Sequence, residues 1–206
     1  EFLSAGLLES SDVRAVMAQA RRAMPPGAQA GVYGRSGGGA TATMYAGQGG
    51  TADFLVIDCA FSSFPEQLLD RLRMDYGILP SVLERPMLDT TLAWVHARFG
   101  IDFAQAVPLQ VASGIRTPAL FVTTAGDEYI RPGMTRELYA AVHAPKRLRV
   151  FPTGGHGAAM QVHGDNYRDE VTRFLHDLVD PPPDLLHERH VRQLDLALQV
   201  REQVVP

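Results

Sequence analysis

Gly34-Arg35-Ser36-Gly37-Gly38 has the form G-x-S-x-G and lies between a short apolar run, Ala30-Gly31-Val32-Tyr33, and an alanine-rich segment, Ala40 to Ala46. Strand, tight turn and helix form the setting in which this pattern presents a nucleophile. The turn is so sharp that the serine takes a strained φ/ψ and its neighbours must lack side chains, which leaves the hydroxyl exposed at a helix N-terminus. Ser36 is therefore the candidate nucleophile. The Gly37 N–H, in the first turn of that helix, would face charge developing on an attacked carbonyl oxygen. A serine hydroxyl by itself reacts poorly and needs a base, which an acid must orient. The sequence offers both, each just past an apolar run. Asp127 stands in Thr124-Ala125-Gly126-Asp127-Glu128-Tyr129-Ile130-Arg131-Pro132, after Ala119 to Val122. His156 stands in Pro152-Thr153-Gly154-Gly155-His156-Gly157, after Arg149-Val150-Phe151.

The same residue types admit plainer readings. A strand, a glycine-rich turn and a helix also hold phosphates, but residues 34 to 39 lack the lysine of a P-loop, and Ser36 stands where the second glycine of G-x-G-x-x-G belongs. A purely structural turn is a further reading, as is a turn role for Asp127 beside Gly126. Asp58 also ends an apolar run and is the rival acid. Cys59 reads as a small buried hydrophobe at a strand end, with no glycine elbow to make it a nucleophile. His96, His143, His163, His176, His187 and His190 fall on expected helices or polar stretches and read as solvated groups; His163 is near enough to His156 in sequence to compete. Tyr129, Phe61, Phe64 and Trp94 are candidates for lining a pocket or for ordinary core.

The positioning elements follow from periodicity. Val13, Val16, Met17, Ala20 and Met24 recur at helical spacing from Ser11-Asp12 to the stop at Pro25-Pro26, which predicts a helix over 11–24. Phe54-Leu55-Val56-Ile57 and Ala119-Leu120-Phe121-Val122 read as strands buried on two faces, as in a parallel sheet, and Arg149-Val150-Phe151 as a weaker fourth strand. An amphipathic helix is expected over 165–179, with Val171, Phe174, Leu175 and Leu178 inward. Residues 62–117 exceed one crossover and should hold two or three helices, one from Met87 to Phe99, forming a lid-like insertion. The alternation argues an α/β sheet with helices on both faces. Residues 1–180 are read as one domain. Asp180-Pro181-Pro182-Pro183 ends it, and 181–206 comprises this Pro-rich break and an amphipathic helix with Val191, Leu194 and Leu198 on one face.

Composition narrows the function classes. The chain has 206 residues, 46% hydrophobic and 20% charged, with 19 basic and 23 acidic side chains interspersed for a formal net charge of −4. That is globular composition with no electrostatic footprint for nucleic acid or an anionic membrane. No apolar run approaches the roughly 20 residues of a membrane span. The single cysteine makes no internal disulfide, and no Cys/His pair has zinc-ligand spacing. With no signal-peptide pattern in the chain as given, these features favour an intracellular setting.

Taken together, VYGRSGGG, TAGDEYIRP and GGHG, in that order and each after a strand, make residues 12 to 180 resemble the second half of an α/β-hydrolase, in the esterase, lipase and serine-peptidase-like branch. The resemblance implies Ser36 as nucleophile, His156 as general base and then acid, Asp127 as its orienting partner, and an acyl-enzyme hydrolysed by water. The expected activity is cleavage of a carboxylic ester, thioester or amide in a small-molecule acyl substrate, with no metal or organic cofactor. In that fold four further strands precede the elbow, and the loop after the third donates a second oxyanion N–H. Residues 1 to 10 are too short to hold them, so a second polypeptide segment or chain is expected to supply the missing strands. Without it, the elbow strand would be a long unpaired edge. The competing expectation is a non-catalytic α/β-hydrolase-like subunit serving a larger assembly.

Overall fold

Four short apolar segments pair side by side, all parallel, in the order β1 (Val32–Arg35), β2 (Leu55–Asp58), β3 (Ala119–Thr124) and β4 (Lys146–Phe151). The structure, a computed structural model, describes residues 3–77 and 80–179. Parallel strands require crossovers. α2 (Gly37–Gly47) joins β1 to β2, α6 (Pro132–Ala141) joins β3 to β4, and α3 (Phe64–Tyr76), α4 (Ser81–Phe99) and α5 (Pro108–Ala112) fill the long connection between β2 and β3. α1 (Glu9–Ala23) precedes the sheet and α7 (Ala159–Val179) follows it. Register sets Arg35 beside Asp58, Asp58 beside Val122, and Val122 beside Arg149, so the C-terminal ends of all four strands share one rim.

Every residue of β2 and β3 is buried, as continuous apolar runs in a doubly covered sheet should be. On one face Leu55, Ile57, Ala119 and Phe121 pack with Met17 of α1, Tyr45 of α2 and Leu138 of α6. Each of the leucine, isoleucine, phenylalanine and methionine side chains contributes roughly 1.5–3 kcal/mol on burial. The alternate residues point to the opposite face, where the Tyr167 hydroxyl of α7 donates to Asp58 Oδ2 at 2.9 Å. α2 is buried continuously from Gly39 to Ala46. Its small residues permit this, and Thr41 and Thr43 return their hydroxyls to the carbonyls of Gly37 and Gly39, both at 2.9 Å.

Several boundaries differ from expectation for physical reasons. α1 begins at Glu9 because the Glu9 carboxylate accepts the Ser4 and Gly6 N–H groups at 2.6 and 2.9 Å, while Ser4 Oγ accepts from Leu8 N–H at 2.7 Å. Val16, expected on the apolar face, is 64% exposed, whereas Met17 is buried. α4 starts at Ser81 and runs through Pro86. β1 covers 32–35, and β4 begins at Lys146, three residues before the apolar run. α7 begins at Ala159 and breaks its helical geometry at Gly164 (φ 26, ψ −93), so the expected helix from 165 is the stretch beyond the kink. Among the described residues β1 is paired on one side only; this edge is four residues, not long, and carries the half-exposed Tyr33.

Residue contacts divide the chain into two units, 1–168 and 169–206. The second is described only over 169–179, where Phe174 is buried and Val171, Leu175 and Leu178 are half-buried. The Pro-rich break and helix expected over 181–206, with His187 and His190, lie outside the described residues.

Candidate active site

Ser36 is the single residue between β1 and α2, and it has φ 57 and ψ −126, a left-handed conformation that costs a non-glycine residue of order 1–3 kcal/mol. The surroundings hold it there. Its N–H donates to the Asp58 carbonyl at 2.8 Å, and its own carbonyl accepts from Gly39 and Ala40 N–H at 2.9 and 3.2 Å. The turn needs glycine at two places. A Cβ on Gly34 would lie 2.2 Å from the Gly38 carbonyl oxygen, and one on Gly39 would lie 2.9 Å from Ala60 Cβ. Gly37 and Gly38, by contrast, face open space. Their N–H groups belong to the first turn of α2, where no intrahelical acceptor exists.

The structure brings Asp127 and His156 to this point. Asp127, 3% exposed, follows the end of β3 and accepts Tyr129 and Ile130 N–H on Oδ1 at 3.0 and 2.9 Å. Its Oδ2 lies 2.9 Å from His156 Nδ1, and His156 Nε2 lies 2.8 Å from Ser36 Oγ. A carboxylate only accepts, so Nδ1 carries the proton and Nε2 is left to accept from the Ser36 hydroxyl. Gly154 and Gly157, at φ 107 and 63, bend the histidine loop over the rim. Thr124 Oγ1 donates to the Gly155 carbonyl at 3.2 Å and Arg35 Nη1 to that of Gly157 at 3.4 Å, tying the loop to β3 and β1.

The alternative candidates are placed elsewhere or held in other bonds. Asp58 is buried beneath the elbow with Oδ2 on Tyr167. Burial raises its carboxyl above the ordinary aspartate value. Burial also pushes the Cys59 thiol up to about 12, which leaves it protonated and a poor nucleophile. His163 bonds both Oγ1 and the carbonyl of Thr153 and stacks on Phe151. His96, His143 and His176 are exposed. Phe61 belongs to a buried cluster with Ala40, Ile130 and Met134, Phe64 packs on Phe61 and Phe103, and Trp94 is 61% exposed beside Phe99.

Tyr129 does reach the site. Its ring lies 4.9 Å from the His156 ring, centroid to centroid, and the Arg71 guanidinium stands 4.9 Å from the Tyr129 centroid. Gln67 donates to the Tyr129 carbonyl and Arg131 pairs with Asp70, so α3, the first helix of the insertion, is fastened to the loop that carries Asp127. Sequence spacing gave no sign that Cys59 belongs here. Its thiol, a ring nitrogen of His156 and a carboxylate oxygen of Asp127 lie within 4.8 Å of one another. The only sequence signal was its position, one residue past the end of β2. A separate cleft of about 340 Å³, lined by Asp89, Leu92, His96 and Asp102 among others, includes none of these residues. Among the described residues no helix is long and apolar enough to cross a membrane.

No family model matches the chain. It is 33% identical over 179 residues to the uncharacterized protein YqkD of Bacillus subtilis, an alignment covering 86% of this chain and 57% of that protein. Among solved structures it is similar to the Pyrococcus furiosus esterase Pf2001, with TM-score 0.63, 17% identity, and coverage of 87% of this chain and 65% of the esterase. It is also similar to the Pyrococcus horikoshii acylaminoacyl peptidase, with TM-score 0.62, 14% identity, and coverage of 87% and 29%. Acetyl xylan esterase 1 from a Thermoanaerobacterium species gives TM-score 0.56 at 19% identity, with 83% and 51% covered. The chain thus spans little more than half the length of its curated relative and less than two thirds of these structures.

Proposed function

Because this chain has the α/β-hydrolase fold, of which it forms the C-terminal half, we propose that it is a serine hydrolase acting on a carboxylic ester, thioester or amide. The observation that carries the reading is the unbroken hydrogen-bond chain from Ser36 through His156 to Asp127 at the C-terminal rim of the sheet. In the reaction, His156 Nε2 takes the Ser36 proton as Oγ attacks the acyl carbon. The oxyanion is received by the Gly37 N–H at the start of α2, and Asp127 stabilises the imidazolium. The imidazolium then protonates the departing alcohol, thiol or amine, leaving an ester on Ser36. Water, deprotonated by His156, attacks that ester and releases the acid, and the proton returns to Ser36. Tyr129 forms a wall of the acyl or leaving-group pocket against the exposed face of His156.

A second oxyanion N–H belongs to this scheme, and we infer that a segment or chain pairing with the open edge of β1 brings it. Lacking one donor costs about 2.7–4 kcal/mol of transition-state stabilisation, or about 10²–10³ in rate. The test is turnover of short-chain chromogenic esters by the chain and by its Ser36→Ala variant, purified identically. Ester cleavage that disappears with Ser36 supports the hydrolase. Cleavage that is equal in the two proteins, or absent even when the segment that completes the β1 edge is supplied, instead supports a non-catalytic subunit built on the same fold.

A further inference from the structure

We propose that Cys59, Asp127 and His156 form a regulatory site for a thiophilic divalent cation of the Zn²⁺ type, and that the bound ion switches off Ser36. The second half of this proposal rests on the hydrolase reading; the first half does not.

The three donor atoms already lie within 4.8 Å of one another, with Cys59 and Asp127 buried and His156 half-buried. A tetrahedral zinc site, with bonds of about 2.3 Å to sulfur and 2.0–2.1 Å to nitrogen and oxygen, sets its ligand atoms about 3.3–3.7 Å apart. The cluster therefore needs to close by about 1 Å at its widest pair, a movement within reach of a loop hinged at Gly154 and Gly157. The thiol is held firmly. Cys59 has φ 44, its N–H donates to the Val122 carbonyl at 2.8 Å, and the preceding carbonyl, that of Asp58, receives the Ser36 N–H.

The donor set selects the ion. Thiolate, imidazole and carboxylate together suit Zn²⁺, Co²⁺ or Cd²⁺, whereas Mg²⁺ and Ca²⁺ require oxygen ligands. On coordination the thiol releases its proton to solvent, the imidazole nitrogen gives its lone pair to the metal, and water takes the fourth position. Either ring nitrogen serves to stop the reaction. Metal on Nε2 removes the base from Ser36, and metal on Nδ1 moves the ring proton from Nδ1 to Nε2, which breaks the bond to Asp127 and leaves Nε2 unable to accept from Ser36. The thiol has no part in acyl transfer, so this assignment gives a use to a buried sulfur beside the site that the catalytic scheme leaves out.

The experiment is Co²⁺ titration of the full chain followed by absorbance, with Zn²⁺ as competitor. The expected result is one ion bound per chain with a thiolate-to-cobalt charge-transfer band that Zn²⁺ abolishes. Cys59→Ala should lose the band, and Cys59→Ser, which preserves the side-chain shape, should lose it too. Both should bind metal at least about tenfold more weakly, since even partners outside the ligand set are worth about 10–100-fold. Absence of the band in the folded wild-type chain, or equal affinity in both variants, overturns the site. These readouts need no turnover, so they stand if the hydrolase reading fails. Where esters are cleaved, stoichiometric Zn²⁺ should abolish cleavage in the wild type, and full activity of the Zn²⁺-loaded chain overturns the regulatory role.

Discussion

His156 Nε2 lies 2.8 Å from Ser36 Oγ although 120 positions separate the two residues. The contact is a product of register: Arg35, Asp58, Val122 and Arg149 stand in line across the sheet, so the loops that leave these strands emerge at one rim. Asp127 joins the pair because its Oδ1 accepts two backbone N–H groups of its own loop, which fixes Oδ2 toward the imidazole.

Residues that act as one unit fail together. Ser36→Ala and His156→Ala should each lower ester turnover by about 10⁴–10⁶, and the double variant should fall no further than the worse single one. Steady-state kinetics on the three variants checks this. Multiplicative losses would mean that the two side chains act independently.

In the proposed reaction Asp127 orients His156, and within its own loop it accepts two backbone N–H groups; two substitutions separate these tasks. Asp127→Asn keeps an acceptor for the Tyr129 and Ile130 N–H groups, so the fold should persist while turnover drops by about 10⁴ through loss of the correct tautomer. Asp127→Ala should also lose about 1–3 kcal/mol of stability, because two loop N–H groups are left unpaired. Urea denaturation beside kinetics distinguishes them, and equal stability of the two variants would contradict the assignment.

The elbow requires glycine at Gly34 and not at Gly38, although the sequence pattern treats them alike. A methyl at 34 meets the Gly38 carbonyl oxygen at 2.2 Å, whereas at 38 it meets open space. Gly34→Ala should destabilise by about 3 kcal/mol or prevent folding. Gly38→Ala should leave the melting temperature within a few degrees of wild type, corresponding to about 0.5 kcal/mol either way.

Asp58 makes stability depend on pH. It is 1% exposed, and Tyr167 occupies Oδ2. Burial is the leading cause of a carboxyl raised above its ordinary value of 3.8, against opposing hydrogen bonds from Tyr167 and Cys59. Folding therefore favours the protonated form. The contribution of Asp58 is fully present below the unfolded value and is lost as pH rises through the folded one. Asp58→Asn does not titrate at this position. The stability of wild type relative to this variant, measured by urea denaturation, should fall as pH rises from about 3 and then level off. A difference that grows with pH would contradict the assignment.

The sheet and the three convergent residues were legible because strong local signals coincide there: all-apolar central strands and glycine-bracketed loops. What was not legible depended on partners distant in sequence. β4 opens Lys146-Arg147-Leu148-Arg149, a pattern that an outer strand tolerates because it is only half-buried, and no apolar periodicity announces it. α4 runs through Pro86 although proline ordinarily marks a helix boundary; Pro86 lies on an exposed stretch of the helix, where its missing N–H is not buried. Val16 fits the helical period of α1, yet the face of α1 that packs is set by Met17 and Val13 against the sheet. Cys59 looks like any small residue after a strand until β3 and the histidine loop bring Asp127 and His156 to its thiol.

The most direct test of the account is reaction of the chain with a fluorophosphonate, followed by peptide mass spectrometry. A single adduct on the peptide containing Ser36, lost in Ser36→Ala and strongly slowed in His156→Ala, is the predicted result. Failure to label Ser36, modification at another residue, or a labelling rate unchanged without His156 would contradict it.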